Sequence, residues 1–472
     1  MQVTSMHFKA RAGGKLADVK LQAALKKLQT NFVRGRAERV AELDNFEAIR
    51  EAGAAIRERT LADLDLYLAE FESNAIARGA MVHWAETVTE ANRLVCEIAA
   101  NYGVRKVVKS KSMVSEECGL NDALEAAGVE VVETDLGEYI LQLAQEPPSH
   151  IVAPVVHKSK DEVSDLFAAK HRQPRKTGIA ELTREAREVL RPHFLSADMG
   201  VSGANFIVAE TGSTLIVTNE GNGRLVTTLP RVHVAITGIE KVVPTLEDVS
   251  TLLRLLPRHG TGQTITNYVS VTTGVRGADE LDGPEHFHVI LVDAGRTRLI
   301  GSDLQPMLRC IRCGACMNHC PVYQSVGGHA YGWVYPGPMG SILTPVYAGL
   351  ENALDLPNAS TFCNQCGVVC PVKIPLPDLM RKLRERQFEQ RLKPWAERLG
   401  LGMWGWIAQQ PALYATAARI GARMLAWMGG AGKLIHNLPF GGGWTGGRDL
   451  PAAEGRTFRE LYASGKSVTS DE

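Results

Sequence analysis

The chain of 472 residues sets 52 Lys and Arg against 52 Asp and Glu, a formal charge of zero that gives no global reason to bind nucleic acid. At roughly 100–200 residues per domain, it is long enough for about two to four domains. With 45% hydrophobic and 22% charged residues it has the composition of an ordinary globular protein, which excludes a disordered, collagen-like or disulfide-stapled chain.

The first 15 residues are charged and lack the apolar run of an export signal. Residues 16–34 and 57–74 carry apolar side chains at helical spacing. In the second segment Leu61, Leu64, Leu68 and Phe71 form one stripe, which predicts a surface helix packed on the next domain with the intervening polar residues in water. From about Val104 the period changes. Residues 104–109, 129–133 and 151–156 are short β-branched runs, separated by segments of helical composition such as 121–127. That alternation predicts α/β units and a largely parallel sheet. Residues 203–217 read as two strands around a Thr-Gly-Ser turn, 232–237 and 286–292 as further strands, and the α/β region closes near Arg298.

Gly, Pro and aromatic residues crowd positions 327–345, which predicts no single regular element there. Residues 378–391 form a basic helix with Asp378 as its N-cap. Residues 399–418 hold no charge over a length that meets a membrane span, but Gln409, Gln410 and Pro411 sit at the centre, so two helices broken at Pro411 are expected. Trp404, Trp406 and Trp427 then form either a partner-facing patch or ordinary core. The Gly-, Trp- and Arg-rich tail beyond Asn437 is expected to be irregular.

The nine cysteines are unevenly spread: Cys96 and Cys118 stand alone, and seven lie between Cys310 and Cys370. An odd count and tight spacing argue against disulfides and for reduced, metal-bound thiols, hence a cytoplasmic protein. Cys310, Cys313, Cys316 and Cys320 form C-x2-C-x2-C-x3-C followed by Pro321, the bacterial ferredoxin run. Cys363, Cys366 and Cys370 with Pro371 form a second run whose first ligand position falls on Ser360. In ferredoxins the fourth cysteine of each run ligates the other cluster. This rule gives cluster one Cys310, Cys313, Cys316 and Cys370, and cluster two Cys320, Cys363 and Cys366 with its fourth ligand open. A lone C-x2-C pair favours zinc, but two runs that each end in Cys-Pro do not. Arg309, Arg312, Asn318 and His319 either offset cluster charge or are solvated surface residues. Few long apolar stripes occur in 301–375, so cluster ligation is expected to supply much of that module's folding energy.

The α/β region has no dinucleotide-binding or P-loop fingerprint. Glu210, Glu220 and Arg224 lie in two Gly-rich segments, which are either an anion site or plain hairpin turns. His157 and Lys158 end an expected strand and either hold a carboxylate or phosphate or begin a helix.

The strings KSKSMVSEECGLNDAL (109–124), SHIVAPVVHKSKDEV (149–163) and GANFIVAETGSTLIVTNEGNGR (203–224), with the two cysteine runs, resemble the lactate utilization protein B family over nearly the whole chain. The resemblance implies an α/β domain similar to sugar-phosphate isomerases and CoA-transferases, and a ferredoxin-like helical module with two [4Fe-4S] clusters. It also implies electron transfer during oxidation of L-lactate to pyruvate, together with two companion lactate-utilization proteins, one iron–sulfur or cysteine-rich and one with a further lactate-utilization domain. The seven-cysteine pattern, with Ser360 where an eighth would stand, matches the family. The expected organisation is a helical region over 1–75, the α/β domain over 76–300, the two-cluster module over 301–377 and a helical Trp/Gly-rich region over 378–472. The leading expectation is an electron-transfer subunit whose acceptor the sequence does not name, with at most peripheral membrane contact. The alternatives make the chain itself the dehydrogenase, binding substrate or an organic cofactor in the α/β domain, or a redox-sensing module.

Overall fold

Asp18 starts the longest N-terminal helix by accepting the Leu21 N–H at 3.0 Å, an ordinary N-cap. In the computed structural model, which describes residues 3–439, 441, 445 and 448–464, four helices lead the chain: α1 Phe8–Leu16, α2 Val19–Ala41, α3 Phe46–Ala62 and α4 Leu64–Ala77. The stripe Leu61, Leu64, Leu68 and Phe71 is buried as expected, but it bridges two helices that break at Asp63. The polar residues between, Asp63, Asp65 and Glu70, are exposed as expected, whereas Arg57, ahead of the stripe, is not. Arg57 is 1% exposed and donates to the carbonyls of Val242 at 2.7 Å and Leu308 at 3.2 Å, and also to that of Glu240.

The α/β core is a six-stranded sheet built from β1 Met81–Ala85, β2 Lys106–Lys109, β3 Glu130–Glu133, β4 Met199–Ser202, β7 Val232–Gly238 and β10 His286–Val292, in the order β1-β10-β7-β4-β2-β3 with every pair parallel. Helices cover it, and β7 is buried at all its positions, as a parallel strand packed on both faces must be. The chain winds outward from β2 to β3 on one side and from β4 through β7 to β10 on the other. The switch point, where open α/β sheets bind ligands, therefore lies between β2 and β4. A second sheet, in the order β8-β5-β6-β9, joins β5 Phe206–Val208, β6 Ser213–Thr218, β8 Val242–Val243 and β9 Tyr268–Thr272. The β5–β6 hairpin turns at Gly212, where φ is +66° and a Cβ would sit 2.2 Å from the Ala75 nitrogen.

Residues 151–156 are not a strand. The His150 ring nitrogen accepts the N–H groups of Val152 and Ala153, both at 3.0 Å, and curls the segment into a loop at Pro154. That loop binds the cysteine-rich module: His150 pairs with Asn318 at 2.9 Å, and the Tyr323 hydroxyl donates to the Ser149 carbonyl at 2.8 Å. Gly328 lies so close that a Cβ there would fall 1.7 Å from the Ser149 oxygen. The module also has a denser core than its sequence pattern suggests, with Tyr323, Tyr331, Tyr335 and Met307 all fully buried.

The chain forms two compact units, Met1–Gln387 and Phe388–Glu472. The helix Leu376–Glu389 bridges this division; Asp378 is its third residue rather than its N-cap, and Pro377 takes the first-turn place that needs no N–H donor. In the second unit, helices Trp395–Ala408 and Pro411–Gly429 break before Pro411. Trp404, Trp406 and Trp427 are exposed, and no described helix is long and apolar enough to cross a membrane. The tail is less irregular than expected: Leu434–Ile435 pairs with Leu450–Pro451, and a capping box between Thr457 and Glu460 starts the helix Phe458–Ala463. Residues 440, 442–444, 446–447 and 465–472 of that tail lie outside the described residues.

Candidate metal centre and adjoining pocket

The two cysteine runs share one backbone plan. In the first, Arg312 (φ +59°) and Gly314 (φ +82°) are left-handed, the short helix Ala315–Asn318 follows, and Cys320-Pro321 ends the turn. In the second, Phe362 (φ +55°) and Asn364 (φ +60°) are left-handed, Gln365–Val368 is the helix, and Cys370-Pro371 ends it. The left-handed residues turn successive thiols to one side, as a compact metal site requires. Cys310 Sγ accepts the Arg312 N–H, and Cys370 Sγ that of Ile374, each at 3.4 Å.

The thiols fall into two groups. Cys310, Cys313, Cys316 and Cys370 line one apolar cavity with Met307, Ile311 and Met339. Burial raises the Cys313 thiol, and nearby Cys370 and Cys310 add to it. Burial pushes Cys366 up to about 12, with Cys320 and Cys363 contributing, and Cys320 rises through burial and Cys363. Cys316 is raised by burial and by thiols of both groups, Cys310, Cys313 and Cys370 in one and Cys366 in the other, so it lies near both. Cys363 alone is exposed, and the N–H of Gln365 and the Thr361 hydroxyl lower it. Left as free thiols, these groups would stay protonated in an apolar cavity. A cationic metal core removes that penalty. A single zinc, at about 2.3 Å per bond, needs sulfurs about 3.8 Å apart. Seven thiols in two runs that each end in Cys-Pro are instead the donor set of a larger, several-iron core.

Buried and half-buried cations lie beside the first group. Lys241 Nζ donates to the Cys310 carbonyl at 3.2 Å, and Arg50 to the carbonyls of Cys370 at 2.7 Å and Gly367 at 3.1 Å. Arg36 feels the Cys313 and Cys370 thiols, and Arg57 feels Cys310. Burial and Arg312 push Lys241 down to about 7, while Glu240 and Cys310 oppose the shift. Arg312 itself is held up, against the cost of burial, by Tyr335 and Cys310. Its guanidinium lies over the Tyr335 ring at 4.7 Å and its side chain is only 10% exposed, so it is packed within the protein rather than solvated. Behind it Arg296, fully buried, binds Glu117 at 2.8 Å and Glu240 at 2.7 Å, and the Tyr335 hydroxyl donates to Glu117 at 2.5 Å. This network ties the α/β domain to the cysteine module.

A cavity of about 310 Å³ opens on the other side of the Cys310–Cys313 loop. It lies at the carboxyl ends of β2, β3 and β4, and its wall includes Ser110, Lys111, Asn205, Glu220, Lys241 and Arg312.

Three family descriptions match along the chain: a LUD domain over residues 68–292, a 4Fe-4S dicluster domain over 306–374, and the C-terminal region of lactate utilisation protein B over 381–467. Lactate utilization protein B of Bacillus pumilus is 43% identical over 464 residues, covering 98% of each chain, and that of Lysinibacillus sphaericus is 43% identical over 465, covering 97% of each. The chain belongs to the lactate utilization protein B family. A crystal structure of a DUF162 family protein from Deinococcus radiodurans is similar to 49% of this chain and 98% of its own at 14% identity, with a TM-score of 0.28. The dicluster match spans all seven clustered cysteines of this family member and identifies the module as one that binds 4Fe-4S clusters.

The weaker candidates do not converge. Glu220 lines the cavity and accepts the Leu136 N–H at 3.3 Å; burial, then Asp135, raises its carboxyl. Glu210 accepts the Leu246 N–H at 3.0 Å away from that wall, and Arg224 is exposed outside it. His157 and Lys158 both bind Glu146, at 2.8 and 2.6 Å. Sequence reasoning missed Ser110, Lys111 and Lys241. The first two stand just after β2 in the Lys-Ser-Lys-Ser string, a position that could have signalled them. Lys241 has no such signal. Cys118 is buried and pushed up to about 12 by burial and Glu117, and Cys96 is half-buried, both within the α/β core.

Proposed function

We propose that this chain is the electron-carrying iron–sulfur subunit for oxidation of L-lactate to pyruvate, with Cys310, Cys313, Cys316 and Cys370 holding one [4Fe-4S] cluster and Cys320, Cys363 and Cys366 a second. The observation that carries it is the common backbone plan of the two cysteine runs, with one set of thiols lining a buried apolar cavity and the other reaching solvent at Cys363. Bound clusters supply one-electron carriers, which suits a two-electron oxidation divided between a substrate site and an acceptor. The residues of this chain do the rest. The cysteines hold, the Arg312 and Ile374 amides direct N–H groups at sulfur, and Arg57, Lys241 and Arg312 offset the negative charge of the first site. Met307, Ile311 and Met339 exclude water from it.

The relatives' name supports lactate as the substrate. The chain works with two companion proteins in the cytoplasm, and the exposed rim of Phe362, Cys363 and Val368 is where an electron partner reaches it. The test is electron paramagnetic resonance of the anaerobically purified, reduced protein. Two magnetically interacting signals are expected, one lost in Cys313→Ser and the other in Cys366→Ser. A single non-interacting signal, or a zinc-loaded protein without iron, would refute the reading.

A further inference from the structure

We infer that the cavity at the carboxyl ends of β2, β3 and β4 binds a small 2-hydroxy- or 2-ketocarboxylate against the back of the Cys310–Cys313 loop. The inference deepens the proposed function, from which it takes the hydroxy-acid class; the pocket itself is argued from geometry.

The place is where an open parallel sheet presents loops from two directions, β2 feeding Ser110–Val114 and β4 feeding Gly203–Asn205 into one wall. Gly203 permits this meeting, since a Cβ there would lie 2.9 Å from the Ser112 hydroxyl. The volume of about 310 Å³ is at the lower end for small-molecule sites. Ile151, Ile216 and Leu256 give it apolar walls with a few polar groups, the usual make-up of such a site.

The polar groups that lack partners select an anion. The Ser110 hydroxyl is buried, 2% exposed, with no hydrogen-bond partner among the described residues. A buried hydroxyl left in that state carries a desolvation cost that a ligand oxygen removes. The Lys111 ammonium has three donors, and its one hydrogen bond among the described residues goes to the Val152 carbonyl at 3.2 Å. The acids on the same wall are already engaged: Asp135 accepts the N–H groups of Gly137 at 3.0 Å and Glu138 at 3.2 Å, and Glu220 that of Leu136. Lys111, Lys241 and Arg312 on this wall outnumber its carboxylates, Asp135 and Glu220, so its formal charge is positive. Lys111 suits a carboxylate, and Ser110 suits the neighbouring hydroxyl or keto oxygen. Arg312 belongs to both sites: it lines this cavity, and its amide donates to the Cys310 sulfur.

The experiment is calorimetric titration of the anaerobic, cluster-loaded full chain with L-lactate, pyruvate and inorganic phosphate. Lactate or pyruvate should bind saturably at one site per chain. Lys111→Met should weaken that binding about tenfold and Ser110→Ala about threefold, with the visible cluster spectrum and melting temperature unchanged. Ser110→Ala removes one oxygen from a cavity wall, so it keeps the test open if Lys111→Met does not fold. Absence of saturable binding, binding that neither folded variant weakens, or phosphate binding as tightly as the carboxylates would overturn the inference. Any of these would leave the paired-cluster signals intact, so failure here is distinct from failure of the proposed function.

Discussion

Arg296 holds two buried carboxylates on one guanidinium, and neither Glu117 nor Glu240 has another cation as close. Removing one member of such a group leaves uncompensated buried charge, a larger loss than the net worth of the pair. Arg296→Met should therefore cost about 3–5 kcal/mol, read as a fall in the denaturant midpoint of the full chain. A loss within the error of a surface substitution would mean the network is not structural. Glu138 presents the opposite case. It is buried with neither carboxyl oxygen hydrogen-bonded, and burial followed by Glu133 raises it well above the ordinary carboxyl range. Its folded pKa exceeds the unfolded one, so its favourable contribution is full below the unfolded value and is lost as pH rises toward the folded one. Glu138→Gln is neutral throughout. It should match the wild type near pH 5 and gain on it by about 1–3 °C in melting temperature by pH 8; a gain independent of pH would contradict this.

At the scale of the element, the two cysteine turns differ at one telling place. Cys310 Sγ accepts the amide two residues on, from Arg312 at 3.4 Å; Ser360 Oγ accepts the amide two residues on, from Phe362 at 3.1 Å. Ser360 thus keeps the turn that a cysteine would make but offers a hydroxyl, a poor ligand unless a metal lowers its pKa strongly. His319 points elsewhere, its Nδ1 on the Ala315 carbonyl at 2.9 Å. The second cluster should therefore have one weakly anchored iron. Mild oxidation should convert that cluster alone to a three-iron signal, Ser360→Ala should retain both clusters, and Ser360→Cys should slow the conversion. Equal resistance of both clusters, or loss of one in Ser360→Ala, would defeat this account. These turns were legible because ligand spacing is a local constraint. Local reasoning misread residues 151–156 for the same reason: β-branched composition carries no information about a ring nitrogen that captures two amides of its own loop. It likewise joined α3 to α4, since an apolar stripe can continue across a break at Asp63.

Across the whole molecule, what sequence could not show is adjacency between distant strand ends and the cysteine loop. Ser110 follows β2, Asn205 follows β4 and Lys241 precedes β8, yet all three meet Arg312 around one cavity. The parallel sheet was readable from alternating runs, whereas the meeting of its carboxyl edge with the module depends on side chains such as Arg57 and Arg296, whose burial no periodicity announces. The resulting order is a cavity with a few polar groups, then a buried thiol group with cations beside it, then a second thiol group that reaches solvent at Cys363. In that order Arg312→Gln should lower the reduction potential of the first cluster and leave the second unchanged, as read by a potentiometric titration; equal shifts of both would contradict the asymmetry.

The central claim, that this chain carries electrons from lactate, is tested most directly by mixing the anaerobic protein with the two proposed companions and L-lactate and following its visible cluster absorbance. Rapid bleaching that requires lactate and the companions, and that fails in Cys313→Ser, is the predicted result. Steady lactate oxidation at the wild-type rate while the clusters stay oxidised, or with Cys313→Ser in place, would contradict it.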